Sequence, residues 1–301
     1  MNLNFTELNC SICKSSIKSP PLITPEINPM NDLEIKKTNW SNLEKITKKR
    51  IFFPYYRCKC GLLTNKNFLN QSSLKYLYSD MKENIHANDT ENNDLKTKLG
   101  YLNQIKNVLT QQKKDFNILE IGPDNGSFQK LISKYIDKSK LSVIEPNKRM
   151  HYKLKKNCNS IYSDIKKLPK NKKFDLIIAI HVFDHVPNFV DFLKILKSKL
   201  KSNGLIYGVV HNEKSMMAKV LKNKWPAYCL QHPHLFNENS LNFAFKKLKF
   251  KKKFVKKTTN FFNLGFLLQH LFTALFNVKI KFPSCFPLGL KLGNFAFLYI
   301  K

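Results

Sequence analysis

Two sets of residues in this chain have the types and spacing for chemistry. The first surrounds a glycine turn. Residues 116–128 read FNILEIGPDNGSF: an apolar run from Phe116 to Ile121, a break at Gly122, Pro123, Asp124, Asn125 and Gly126, then helix-like spacing of Phe128, Leu131, Ile132 and Tyr135. Strand, tight turn and helix in that order make a mononucleotide-type unit, whose glycines let the backbone bend beside a ligand. A second apolar run, Leu141 to Ile144, ends at Glu145-Pro146, 19 residues beyond Gly126. In a parallel sheet both strand ends open on one edge, where a Glu145 carboxylate can accept two hydrogen bonds from a ribose diol. A third run, Cys158 to Tyr162, leads to Asp164 and Ile165. Asp164 is placed to accept from the exocyclic amine of a base with Ile165 against the ring; its plainer role is a helix N-cap. The second set is Cys10-Ser-Ile-Cys13 with Cys58-Lys-Cys60. Four thiolates can hold one zinc ion tetrahedrally, and a shell closed by four sulfurs is structural. It would staple a segment too small for a core of its own. The second pair has one intervening residue where two are usual, which strains simultaneous ligation.

The elements that must position these residues follow from hydrophobic spacing. Phe174 to Ile180, FDLIIAI, is the most apolar strand and is predicted to be central. It ends in HVFDHVP, after which Asn188 caps a helix with Phe189, Phe192, Leu193, Leu196 and Leu200 on its buried face. Asn203-Gly204 turns into the strand LIYGVV, and the alternation as a whole predicts a doubly wound α/β sheet. Leu95, Leu99, Leu102, Ile105 and Leu109 predict an amphipathic helix leading into that sheet. The expected organisation is a cysteine module over 1–75, a polar linker over 76–93 and the main domain over 94–301. A lid covers about 211–240, and an apolar segment follows over 260–301. That segment is predicted to begin with a buried helix; a face toward a membrane, a lipid-linked acceptor or a dimer partner are the alternatives.

The chain has 301 residues, 52 Lys and Arg against 21 Asp and Glu, and a formal net charge of +31. Such a balance suits nucleic acid or an anionic membrane. Even spacing of the lysines, with abundant Asn, Ile and Phe, points equally to compositional drift. Seven cysteines, unevenly spaced, do not make a secreted disulfide scaffold. No N-terminal basic-then-apolar segment and no wholly apolar 18-residue run are present, so a cytoplasmic location is expected.

Together these residues resemble the class I S-adenosylmethionine-dependent methyltransferases, and within them bacterial members with an N-terminal zinc-binding segment, a group that includes sugar methyltransferases. The first family motif, an acid followed by G-x-G-x-G, corresponds to Glu120-Ile-Gly122-Pro-Asp124-Asn-Gly126, with Asp124 in place of the middle glycine. The acid after the second strand corresponds to Glu145 in VIEPNK, and the adenine-contacting acid to Asp164. The fourth-strand sequence H-V-L-E-H-V-P appears as HVFDHVP. The resemblance implies a Rossmann-like seven-stranded sheet of order 3-2-1-4-5-7-6, whose last strand, Asn294 to Ile300, inserts antiparallel beside the fifth. It implies S-adenosyl-L-methionine as cofactor, held by Glu120, Gly122, Asp124, Gly126, Glu145, Pro146, Asp164, Ile165 and His181. It implies zinc on Cys10, Cys13, Cys58 and Cys60.

Methyl transfer to a hydroxyl needs an aligned acceptor and a base. The resemblance places a histidine-then-aromatic segment at His234 and Phe236, so His234 is the first candidate base, His185 the second and His211 a third. Asp184 with His185 offers two ligands for a divalent metal, as in related quinone-precursor methyltransferases, without an evident third. The expected acceptor is a small molecule such as a sugar, a nucleotide-sugar or a related hydroxyl compound, and the expected form a monomer or homodimer. A nucleic-acid methyltransferase is an alternative, but no N-P-P-Y-type base-flipping motif follows the fourth strand, and a specific nucleic-acid partner is not expected. A third class is a degenerate fold serving as a scaffold, against which intact Glu145 and Asp164 argue.

Overall fold

The structure is a computed structural model that describes residues 3–32, 49–79, 91–111, 115–276, 280, 282–283 and 286–301. The N-terminal part holds five short strands, β1 (Phe5–Glu7), β2 (Pro21–Ile23), β3 (Tyr55–Arg57), β4 (Leu63–Asn65) and β5 (Asn67–Leu69), then helix α1 (Gln71–Ser79). Much of the linker expected over 76–93 lies outside the described residues. Helix α2 (Glu91–Thr110) starts within its end. Its buried face is Tyr101, Leu102, Ile105 and Leu109, whereas Leu95 and Leu99, expected on that face, are exposed.

The main domain continues with β6 (Ile118–Ile121), α3 (Ser127–Ile132), β7 (Leu141–Ile144), α4 (His151–Leu154), β8 (Ser160–Tyr162), β9 (Phe174–Ile180) and α5 (Phe189–Lys199). Then come β10 (Leu200–His211), α6 (Met216–Leu221), β11 (His234–Leu235), α7 (Glu238–Lys247) and β12 (Lys251–Lys257). The chain closes with β13 (Asn260–Asn263), α8 (Leu264–Phe276), β14 (Pro287–Leu290) and β15 (Asn294–Ile300). Seven strands form one sheet in the order β12-β15-β10-β9-β6-β7-β8. Numbered within the domain, this is the 3-2-1-4-5-7-6 order, with β6 to β10 parallel and β15 antiparallel to both β10 and β12.

The sheet's strands are apolar on both faces because helices cover both. Phe174, Leu176, Ile177, Ile178 and Ala179 are all fully buried. One face packs Leu193, Leu196, Phe245 and Phe297 with Leu119 and Ile177; the other packs Leu102, Ile105, Phe128 and Ile132 with Ile118 and Tyr207. β15 is anchored by aromatics, Phe245 stacking on Tyr299 with centroids 3.9 Å apart. Opposite Phe297, Gly208 makes room for its ring, which a Cβ there would strike.

The N-terminal strands do not form a separate layer. β11 joins them, giving a second sheet in the order β11-β4-β3-β2, with His234 opposite Thr64 and Leu235 opposite Leu63. Cys10, Ile12, Cys58 and Leu62 belong to the same apolar cluster as Phe189, Phe236 and Leu241. Among the described residues no helix is long and apolar enough to cross a membrane.

Candidate active site

The glycine turn lies at the carboxyl edge of β6. Gly122 and Gly126 adopt φ of 61° and 78°, and Asp124 adopts 53°. This left-handed region is open to glycine and, at modest cost, to aspartate, which is how Asp124 can stand where the motif has a glycine. A Cβ on Gly122 would lie 3.0 Å from Val182 Cγ2, and one on Gly126 2.9 Å from Leu154 Cδ2. The turn leaves no spare room on its protein side.

Two carboxylates, Glu120 and Glu145, stand beside it, and a third, Asp164, follows β8. Glu120 is buried on β6, and its Oε2 has no hydrogen-bond partner among the described residues. Burial pushes its carboxyl up to about 8; Lys98 draws it down and Glu145 adds to the rise. Glu145 follows β7, and burial pushes it up to about 7 even though the Asn147 N–H donates to its Oε1 at 2.8 Å. Pro146 beside it is exposed. Asp164 accepts from the Lys166 N–H at 2.8 Å, the N-cap geometry, and Ile165 packs against the core. Lys98, which sequence spacing did not single out, reaches over the turn from α2, its Nζ 2.5 Å from Ser127 Oγ and 3.1 Å from Asp94 Oδ2. The Asp94–Lys98 spacing of four was its visible signal. An unpartnered buried carboxylate among further acids is a poor cradle for pyrophosphate. It fits a ligand that carries cationic groups and a ribose, as S-adenosylmethionine does.

Beyond β9 and β10 lies a cluster of imidazoles. His181, with φ 52°, follows β9; burial and the neighbouring His211 hold it to about 3, its buried Nδ1 has no partner among the described residues, and its Nε2 lies 3.4 Å from Asn294 Nδ2. Its ring centroid is 4.7 Å from that of His211. Asp184, fully buried, accepts from both the His211 N–H at 3.1 Å and His211 Nδ1 at 2.9 Å. Burial alone would raise the Asp184 carboxyl, but His211 and the surrounding imidazoles hold it at about 2. Asp184 Oδ1 has no partner among the described residues.

The other histidines are tied on both sides. His185 is 3.0 Å from Tyr78 Oη through Nδ1 and 3.2 Å from His232 Nε2 through Nε2. Burial and the charge on His232 keep it neutral, well below its usual range. His232, which sequence reasoning left without a role, is lifted to about 9: burial opposes its charge, but Cys229, Asp184 and the Ala227 carbonyl outweigh that. His234 is fully buried, its Nε2 3.0 Å from the Phe183 carbonyl and its Nδ1 3.3 Å from Ser11 Oγ. It joins the cysteine module to the loop after β9 and presents no free nitrogen. Of the three candidate bases, only His211 has a ring nitrogen, Nε2, unengaged among the described residues, and its side chain is 23% exposed. Sequence alone does not show this, because the partners come from Ser11 and Tyr78, far away in the chain.

Cys10, Cys13, Cys58 and Cys60 meet on the far side of His234. Cys10 Sγ is 3.5 Å from Cys60 Sγ, Cys13 Sγ is 3.4 Å from Cys58 Sγ, and all four sulfurs lie within 4.8 Å of one another. A tetrahedral zinc shell with Zn–S of about 2.3 Å sets sulfurs about 3.8 Å apart, so the donors fit a structural metal. The one-residue gap is absorbed by a tight turn in which the Gly61 N–H donates to the Cys58 carbonyl at 2.8 Å. Without a cation the quartet is frustrated. Burial opposes the Cys13 thiolate, yet contacts with Ser15 and the other sulfurs bring it to about 6, while burial lifts Cys58 to about 11.

Over 123 residues the chain is 32% identical to an uncharacterized protein of Methanocaldococcus jannaschii, covering 39% of this chain and 51% of that protein. Over 97 residues it is 34% identical to malonyl-[acyl-carrier protein] O-methyltransferase 2 of Ilyobacter polytropus, covering 30% and 38%. The matches thus span about half of one relative and 38% of the other. Among solved structures, it is similar to a SAM-dependent methyltransferase from Archaeoglobus fulgidus, with TM-score 0.46, 17% identity and coverage of 68% and 94%. It is also similar to the N-methyltransferase NodS of Bradyrhizobium japonicum, with TM-score 0.44, 12% identity and coverage of 75% and 96%. The family model described as a methyltransferase domain matches residues 84–252, more than half of the chain, and the protein belongs to that family.

Proposed function

We propose that the protein transfers a methyl group from S-adenosylmethionine to a hydroxyl of a small metabolite, with the Asp184–His211 pair supplying the base. The observation that carries this reading is the pair itself: a buried carboxylate on Nδ1 of a partly exposed imidazole at the carboxyl edge of the sheet. When bound, S-adenosylmethionine supplies an electrophilic methyl group on a sulfonium. Glu120 would balance its cationic groups, Glu145 accept from its ribose, and Asp164 and Ile165 receive its base, with Gly122, Asp124, Gly126 and Pro146 shaping the turn and His181 closing the floor.

His211 does the proton work. Asp184 Oδ2 accepts from Nδ1–H, which leaves the lone pair on Nε2. Nε2 takes the proton of the acceptor hydroxyl, and Asp184 balances the imidazolium that forms. His234, the first candidate from sequence, is better understood as a strut, since both its nitrogens are engaged in the interior. His185 belongs to the Tyr78–His185–His232 chain, which orients the cluster. The Ilyobacter relative carries out an O-methyl transfer by name, which supports oxygen as the acceptor atom. Zinc on Cys10, Cys13, Cys58 and Cys60 would be structural, holding Ser11 against His234.

The test is His211→Gln, assayed with labelled methyl donor on an acceptor found by screening sugars, nucleotide-sugars and phenolic hydroxyls. Turnover should fall about 10²–10⁴-fold while S-adenosylhomocysteine affinity stays near that of the unsubstituted protein. Full turnover in this variant would remove His211 as the base. A second reading rests on the donor atoms of His181, Asp184 and His211, which lie within 4.8 Å of one another. Asp184 is joined there by His181 and His211 in place of the expected His185, and His181 Nδ1 and Asp184 Oδ1, unpartnered among the described residues, suit a divalent cation. Under that reading, activity is lost to a chelator and restored by Fe²⁺ or Mn²⁺ with Zn²⁺ supplied to the thiolates throughout; under the first it is indifferent to Fe²⁺ and Mn²⁺.

A further inference from the structure

A pocket of about 250 Å³ opens beside the imidazole cluster, where the loop after β10 meets the start of β15. Its wall includes Lys214, Lys219, Lys257 and Lys291, together with Asn212, Asn294 and Met216, and no carboxylate lines it among the described residues. The four lysines come from four different places: the loop before α6, α6 itself, the end of β12 and the approach to β15. Folding thus gathers them from positions scattered along the chain. Among the described residues none of the four ammonium groups is in an ion pair, whereas Lys14, Lys98, Lys194, Lys201 and Lys252 each have a carboxylate within 4 Å. Like charges around one small concavity repel, and that repulsion is relieved when an anion occupies the space.

The position of the pocket gives it meaning. Asn294 is the cross-strand partner of His211, and its Nδ2 lies 3.4 Å from His181 Nε2. Asn212 follows His211 directly, and its N–H donates to the Gly293 carbonyl at 2.8 Å. The inner wall of the lysine pocket is therefore one residue from the proposed base. Its volume lies below the roughly 300–1,000 Å³ that holds a whole metabolite-sized ligand, and suits one terminal group.

We propose that this pocket binds a phosphate or diphosphate group of the methyl acceptor, so that the substrate is a phosphorylated compound whose hydroxyl reaches His211 while its anionic end is held by Lys214, Lys219, Lys257 and Lys291. This rests on the methyltransferase reading above and names the substrate class for it. Two sources share the chemistry, a soluble nucleoside-diphosphate compound and a lipid phosphate. The exposed Met216 at the rim is compatible with either.

The test compares Lys219→Gln/Lys291→Gln with Lys251→Gln/Lys253→Gln. The second pair removes the same charge from exposed positions at the opposite end of the strand that carries Lys257. Calorimetry at physiological salt uses inorganic pyrophosphate and uridine diphosphate; a parallel flotation assay uses phosphatidylcholine vesicles containing phosphatidic acid. The pocket pair should lose about tenfold or more in affinity for at least one of these probes, while the strand-end pair binds like the unsubstituted protein. Loss confined to pyrophosphate and uridine diphosphate assigns a soluble acceptor, and loss confined to the vesicles a lipid phosphate. Equal affinity in all three proteins, equal loss in both variants, or no binding of any probe by the unsubstituted protein would overturn the proposal. S-Adenosylhomocysteine binding by the unsubstituted protein is measured alongside. Its absence would sink the methyltransferase reading whatever the anion result, and its presence with no pocket-dependent anion binding would sink only the pocket.

Discussion

At the scale of single residues, the buried acids set the sharpest expectation. Glu120 and Glu145 are raised to about 8 and about 7, chiefly by burial, above an ordinary carboxyl near 4.5. The folded protein therefore binds more protons than the unfolded chain between those values. The stability this contributes is fully present below the unfolded pKa and is lost as pH rises through about 7 to 8. A ligand cation beside Glu120 reverses the preference by favouring the carboxylate. Binding of S-adenosylhomocysteine should then release protons near pH 7 and tighten as pH rises from 6 to 8. Calorimetry in buffers of different ionisation enthalpy reads the proton count directly, and Glu120→Gln should abolish most of it. An unchanged proton count in that variant would mean Glu120 does not face the ligand. Glu145→Ala should weaken the same binding by about 1–3 kcal/mol, the scale of a hydrogen bond to a charged group. Both residues were legible in the sequence because each sits at a strand end beside a turn, and local pattern is enough to find such positions. The surroundings that separate the histidines were not legible. His234 and His211 differ only in what surrounds them, and those partners, Ser11, Phe183 and Asp184, come from other parts of the chain.

At the scale of elements, the two sheets meet through β11. His234 and Leu235 pair with Thr64 and Leu63, and Ser11 touches the His234 ring. The cysteine quartet ties the segment after β1 to the turn between β3 and β4. A zinc ion on it would therefore be felt beyond the module. About one equivalent of zinc per chain is expected by elemental analysis of protein purified without a metal-binding tag. Removing it, or replacing Cys13 by Ser, should lower the melting temperature and loosen amide-exchange protection along β4 and β11 together. Protection lost only in the first 70 residues would mean that the module is uncoupled from β11. The sequence showed the thiols but not this coupling, because a two-residue strand such as β11 has no periodicity to read. The last strand was easier. NFAFLYI is alternating and aromatic, and the structure has it over the same residues, 294–300. Lying between β10 and β12, it cannot be removed without opening the sheet, so a chain ended before Asn294 should not accumulate in folded form.

At the scale of the whole molecule, the question is what a charge of +31 does. Most of the described lysines are exposed, as at Lys155 and Lys156 in the turn after α4 and Lys251 and Lys253 at the start of β12. Such a distribution gathers phosphate without reading a sequence. The described surface shows no track of aromatics alternating with basic groups of the kind that stacks single-stranded bases: Tyr55 is fully buried with its hydroxyl on the His232 carbonyl, and Arg57 is committed to Glu213 at 2.7 Å. The aromatic and basic run Tyr55-Tyr56-Arg57 is thus used to join the N-terminal sheet to the loop after β10. Binding to DNA or RNA should accordingly be electrostatic and sequence-independent. Its logarithm should fall linearly with the logarithm of salt, with a slope of about −0.7 to −0.9 for each phosphate contacted. Filter binding between low and physiological salt measures this slope. Little retention should remain at physiological salt, and scrambled competitors should displace the probe as well as any other. Submicromolar, sequence-selective binding under those conditions would restore nucleic acid as the acceptor, and the lysine pocket would then have to be understood as part of a longer phosphate track rather than as the seat of one terminal group.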